Sequence, residues 1–90
     1  MTRILGVDLG LKRTGLALSD ELRLTARALA NLTPKSRAED VAFLVALIER
    51  EAVGDVVIGL AALKSGDDSA MAKRARGFEQ ALTDARRAAS

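Results

Sequence analysis

Ile4-Leu5-Gly6-Val7-Asp8-Leu9-Gly10-Leu11-Lys12-Arg13-Thr14-Gly15-Leu16-Ala17-Leu18-Ser19-Asp20 is the stretch that decides the fold. Ile4 to Leu9 is a short apolar run broken by one acid, a pattern that predicts a strand buried on both faces. Gly10 to Arg13 predicts a turn. Thr14 to Leu18 predicts a second strand, ending at Ser19-Asp20. So short a connection makes the two strands an antiparallel hairpin. Downstream, Ala26 to Leu32 is a candidate third strand, weakened by its alanines, which are poor strand formers.

The only proline, Pro34, breaks the chain before a clear helix start. Ser36-Arg37-Ala38-Glu39 matches a capping box, with Ser36 as N-cap and Glu39 reaching back. Val41, Leu44, Val45, Ile48 and Ala52 then fall on one helical face, and Gly54 suits the helix stop. Asp55 to Leu60 predicts a second buried strand. A strand, a helix and another buried strand imply a crossover and parallel pairing. Ala61 to Asp68 reads as a loop. From Ser69 a second helix carries Met71, Ala75, Phe78, Leu82 and Ala85 on one face, and Gly77 weakens it by roughly 1 kcal/mol relative to alanine. A helix after a buried parallel strand ordinarily leads into a further strand, so the chain reads as an incomplete α/β domain occupying residues 1–90.

Composition narrows the chemistry. Ninety residues suit one domain, which buries only roughly 60–65% of its unfolded surface. With Phe43 and Phe78 the only aromatics, the core must come from Leu, Val, Ile and Ala. There is no cysteine and no histidine. Disulfides and thiolate metal sites are thereby excluded, and acid–base or metal chemistry falls to carboxylates, whose oxygens suit Mg²⁺ or Mn²⁺. A net charge of +2 permits nucleic acid as a partner without demanding it. No apolar run reaches the roughly 18 residues of a membrane span, and Asp8 interrupts any signal-peptide core, so the expectation is a cytoplasmic protein with no membrane partner.

Asp8 is the residue with something to explain. A charged carboxylate inside a sheet is costly unless it is paired or ligates a metal. Two readings stay open on local pattern: a carboxylate held by backbone amides or reaching water at the sheet end, and a metal ligand. Gly10 to Gly15 has the glycine spacing of a P-loop, but Leu16-Ala17 stand where Lys and Ser/Thr are required, so that reading fails.

The whole stretch Ile4–Asp20 resembles the N-terminal signature of the YqgF/RuvX family, small bacterial nucleases of RNase H-like fold. Gly6, Asp8, Gly10, Lys12, Arg13, Gly15, Ser19 and Asp20 carry the resemblance. The strand Val56-Val57-Ile58-Gly59-Leu60 and the helix with Ala72-Lys73-Arg74-Ala75-Arg76 and Phe78 follow in order and spacing. The resemblance implies a mixed sheet flanked by helices, with the last strand and helix of the fold absent. It implies Asp8 as catalytic and metal-binding aspartate for Mg²⁺ or Mn²⁺, with RNA or branched DNA as partner. Lys12 and Arg13 would be phosphate contacts, against a solvated turn as the plainer reading. Lys73, Arg74 and Arg76, with Arg86 and Arg87, would be a further nucleic-acid contact, against a solvated helix face.

Two departures qualify what the resemblance implies. The acids that the family carries on its fifth strand and C-terminal helix fall beyond Ser90, which leaves one of three metal carboxylates and makes catalysis by this chain an open question. The loop Ala61–Asp67 differs from the family's proline-bearing one, and Asp67 or Asp68 reads as a helix cap or a replacement ligand. The expected function is a metal-dependent nuclease acting on structured nucleic acid, in pre-16S ribosomal-RNA processing or Holliday-junction resolution. The alternative is an inactive nucleic-acid-binding or scaffold form, and a remoter one is a fragment of an actin-like ATPase. An exposed edge on the 55–60 strand implies pairing with a second copy.

Overall fold

Strand alternation and helix periodicity resolve into six elements in the computed structural model, which describes residues 2–10, 12–29, 31–60 and 69–89. They are β1 (Arg3–Leu9), β2 (Thr14–Ser19), β3 (Ala26–Ala28), α1 (Arg37–Arg50), β4 (Val53–Leu60) and α2 (Ser69–Ala89). The four strands form one sheet in the order β3-β2-β1-β4. β1 pairs antiparallel with β2 and parallel with β4, with Val7 opposite Leu16 on one side and Ile58 on the other. This is the α/β architecture that the hairpin and crossover require. The loop Ala61–Asp68, with Asp67 and Asp68, lies outside the described residues.

The core occupies one face of the sheet. Leu5, Val7 and Leu9 of β1 and Leu16 and Leu18 of β2 form a single cluster with Val41, Leu44, Leu47 and Ile48 of α1 and Phe78 and Leu82 of α2. Both helices therefore cover the Val7 face. The alternate residues of β1 are progressively more open, from half-buried Ile4 and Gly6 to exposed Asp8. On β4, Val57 is 60% exposed. The apolar runs thus overstate burial: β1 and β4 are buried on one face only, because a single helical layer packs against them.

The helix ends also depart from local expectation. Ser36 caps α1, its Oγ accepting from the Glu39 N–H at 3.1 Å. Among the described residues Glu39 makes no reciprocal bond to Ser36; instead the Asp40 carboxylate accepts from the Lys35 N–H, one residue before the cap, at 3.2 Å. Leu47 joins the buried face, while Ala52 lies beyond the helix. Gly54 does not stop α1. The left-handed position after the C-cap is taken by Ala52, at φ 53°, and Gly54 already belongs to β4 beside Thr2. Gly77 costs helix propensity but gives room, since a Cβ there would meet the Arg37 guanidinium at 2.8 Å.

The end of the sheet remote from the β1–β2 turn is tied by polar groups. Ser19 Oγ accepts from the Ile4 N–H at 2.7 Å. Arg23, itself at φ 59°, donates to the Thr2 carbonyl and hydroxyl and pairs with Asp55 at 2.6 Å, linking the β2–β3 loop to the starts of β1 and β4. Asp20 accepts from the Leu24 N–H at 2.9 Å and the Thr25 hydroxyl at 3.0 Å, and the Leu24 bond is the main cause that lowers its pKa. No described helix is long and apolar enough to cross a membrane.

Two outcomes are expected. Ala52→Gly relieves the left-handed strain after α1 and raises stability by about 1 kcal/mol in urea unfolding. Asp20, with its folded pKa depressed, stabilises the loop above the ordinary carboxylate value and loses that contribution as pH falls through the lower folded value. Asp20→Ala should therefore melt below wild type at pH 7, with the gap closing towards pH 2 in calorimetric scans.

Candidate functional site

On the sheet face away from the helices, Asp8 stands among glycines. The register places it opposite Gly15 of β2 and Gly59 of β4. Gly6 precedes it on the same face of β1. A strand glycine costs roughly 0.5–1 kcal/mol relative to alanine, so a cluster of them calls for a reason. Close packing within the protein does not supply one at these three positions. A Cβ on Gly6 would come no nearer than 3.8 Å to Ala17, one on Gly15 would stand 3.6 Å from the Asp8 Cβ, and one on Gly59 would stand 4.0 Å from the Val7 carbonyl. All are ordinary contacts. Gly10 is different, because a Cβ there would collide with the Arg13 carbonyl, and it is required by the turn itself.

The result is an open trough of about 450 Å³, lined by Gly6, Asp8, Gly15, Ala17, Ala28, Asn31, Val57 and Gly59. Among the described residues the Asp8 carboxylate has neither a hydrogen-bond partner nor an ion pair. Among the described residues no backbone amide holds the Asp8 carboxylate, and the exposed side chain reaches water, which fits the plainer reading of an acid open to solvent as well as that of a metal ligand. No group of three or more Asp or Glu is placed to hold a metal ion among the described residues. What the trough offers a divalent cation is one anionic oxygen in space that side chains leave clear. That fits an ion keeping most of its own water, as Mg²⁺ does.

The basic residues divide between surfaces. Lys12 and Arg13 are exposed in the β1–β2 turn and have no partner among the described residues. Arg74 is committed within the fold, donating to the Gly10 carbonyl at 2.8 Å and so pinning α2 to that turn. Lys73 and Arg76 are exposed on α2, in the layer that covers the Val7 face and not the Asp8 face. The structure thus does not gather Lys73, Arg74 and Arg76 around Asp8. Asn31, absent from the sequence candidates, does line the trough. Its approach depends on the chain returning along β2, where Thr14 pairs with Leu32, and no local motif announces that.

A second opening, of about 350 Å³, lies between β4 and α2 and is lined by Asp55, Val56, Ile58, Glu79, Leu82, Thr83 and Arg86, among others. It borders the outer edge of β4, which has no strand beside it among the described residues.

Comparison with known proteins adds to this geometry. Residues 2–89 match the model of a family described as RuvX: Holliday junction resolvase. The chain is 42% identical over 76 residues to a protein of Koribacter versatilis (strain Ellin345), an alignment that covers 84% of this chain and 50% of that protein. It is 40% identical over 83 residues to one of Anaeromyxobacter sp. (strain Fw109-5), covering 92% and 61%. A protein of Moorella thermoacetica (strain ATCC 39073 / JCM 9320) is 38% identical over 80 residues, covering 89% and 57%. Each carries the name "putative pre-16S rRNA nuclease". The chain spans about half to three-fifths of the length of these relatives. With the Asp8 hairpin, the crossover and both helices all inside the matched residues, the chain belongs to the RuvX family of Holliday junction resolvases.

Proposed function

We propose that the Asp8 face is the metal-bearing side of a metal-dependent nuclease site that acts on structured nucleic acid. The observation that carries this is the glycine-cleared trough around an exposed carboxylate that has no partner among the described residues. Gly6, Gly15 and Gly59 leave space that the fold does not need, and a sugar–phosphate backbone needs such space to come close to a strand. Asp8 would hold a Mg²⁺ or Mn²⁺ ion. Such an ion, when bound, stabilises charge on the phosphate and generates a nucleophilic water. The chain's own residues orient and admit: Asp8 fixes one side of the ion, the glycines admit the phosphate, and Lys12 and Arg13 on the adjoining turn offer phosphate contacts. The substrates are those named for the family and its relatives, a pre-16S rRNA segment or a Holliday junction. Cytoplasmic work on either suits the composition.

A second reading, a nucleic-acid-binding form without catalysis, is favoured by the ligand count. One carboxylate among the described residues leaves Mg²⁺ hydrated and mobile, whereas phosphodiester cleavage depends on rigid placement of charge against the phosphate. Association with a second copy is part of this reading, because the outer edge of β4 has no strand beside it among the described residues and such an edge can template strand addition.

The two readings part on cleavage: a complete nuclease site cuts its substrate, whereas a site with one carboxylate binds without cutting. Given Mg²⁺ or Mn²⁺, the 90-residue chain should bind an rRNA-precursor hairpin or a four-way DNA junction but cut it slowly or not at all. Robust cleavage by a clean monomer, abolished by Asp8→Asn, would contradict the ligand count. Gly15→Val and Gly59→Val should keep the fold by circular dichroism yet weaken metal-dependent binding at least about tenfold, because a branched side chain fills the trough. Unchanged binding in both would remove the Asp8 face from the reading.

A further inference from the structure

We infer that Asn31 is the second polar group of the Asp8 trough and takes a water on the divalent cation held there. The inference rests on the nuclease reading of that trough and names a residue for it. Asn31 is placed by backbone bonds and not left to wander. Leu29 donates to the Leu16 carbonyl at 2.8 Å, and Leu32 and Thr14 exchange two bonds at 2.9 and 2.8 Å. Between the Ala17–Ala28 pair and the Thr14–Leu32 pair lie two positions of β2 and three positions of the returning chain. The facing segment therefore has one residue in excess. Such a bulge re-aims side chains and is common beside active sites.

The side chain enters the space that Gly15 leaves clear. The point where a Cβ of Gly15 would stand is 3.6 Å from the Asp8 Cβ and 3.9 Å from Asn31 Oδ1. Asn31 is exposed, and among the described residues its carboxamide has no hydrogen-bond partner, which leaves it available to a ligand in the trough. Asp8 borders this space with acceptor oxygens, and Asn31 brings its Oδ1 toward it while carrying an NH2 donor on the same carboxamide. With its Oδ1 toward the Asp8 carboxylate, Asn31 accepts a hydrogen bond from water on a cation, and an outer contact of that kind holds an ion without displacing its hydration. Asparagine is also depleted in strands, so a position bonded to β2 on both flanks would ordinarily carry an apolar or β-branched residue.

The test is Mn²⁺ binding to the 90-residue chain, read from the electron paramagnetic resonance signal of free Mn²⁺. Asn31→Ala should weaken binding about tenfold, the lower end of the loss expected for an outer-shell partner. Asn31→Asp, nearly isosteric and so secure against misfolding, should tighten it about tenfold by adding a second carboxylate. That gain should vanish in Asp8→Asn/Asn31→Asp. An Asn31→Ala variant that binds like wild type, while Asp8→Asn abolishes binding, would overturn the role of Asn31 and leave the nuclease reading standing. A gain from Asn31→Asp that persists without Asp8 would also overturn it, by placing residue 31 in a separate site. Binding indifferent to Asp8→Asn would sink the reading of the trough itself.

Discussion

Packing of Leu5, Val7 and Leu9 against Leu44, Phe78 and Leu82 organises everything else in this chain. Because successive side chains on a strand point to opposite faces, burying that set under one helical layer sends Gly6 and Asp8 to the other face. The same alternation, carried through the β1–β2 and β1–β4 registers, brings Gly15 and Gly59 level with Asp8. A slip of one residue in either register would put the carboxylate in the core and a leucine or valine in the open. The hydrophobic core thus fixes the position of the Asp8 carboxylate, the only one lining the trough among the described residues.

Stability and the proposed function pull apart on the two faces. The covered face carries close-packed leucines, while the open face carries glycines that weaken their strands and a bare carboxylate. The fold offsets this with ties at its ends. Arg74 clips α2 to the turn after β1, and Arg23 links Thr2 and Asp55 at the opposite end. These are partly exposed contacts, each contributing at most about 1 kcal/mol, and they steady the sheet without covering the trough. Ser19 and Asp20, part of the family signature, act in the same way, closing the hairpin and its following loop.

Much of the fold was legible where local chemistry and global packing agree. The Gly10–Arg13 turn between apolar runs gave the hairpin, and Ser36 gave the start of α1. Burial was less legible, because Ile4–Leu9 and Asp55–Leu60 look fully apolar whether one helical layer or two will cover them. The stop of α1 misled for a related reason: glycine is the usual left-handed residue, yet Ala52 takes that position and Gly54 makes room for Thr2. At the site, Asp8 stood out as an acid in an apolar run. Lys73 and Arg76 were legible as exposed charge on a helix, but the sequence does not show that they lie in the layer opposite Asp8. Asn31 was invisible, since its place depends on a bulge between segments that only the folded sheet brings together.

The central claim is that nucleic acid meets the glycine face of the sheet and not the basic face of the helices. The most direct measurement is the nuclear magnetic resonance footprint of a four-way junction or rRNA-precursor hairpin on the ¹⁵N-labelled chain in the presence of Mg²⁺. The account predicts amide shifts concentrated at Gly6–Asp8, Gly15–Ala17, Asn31 and Val57–Gly59, with the β1–β2 turn alongside. Shifts confined to Lys73, Arg76 and their neighbours on α2, with the Asp8 face unmoved, would contradict it.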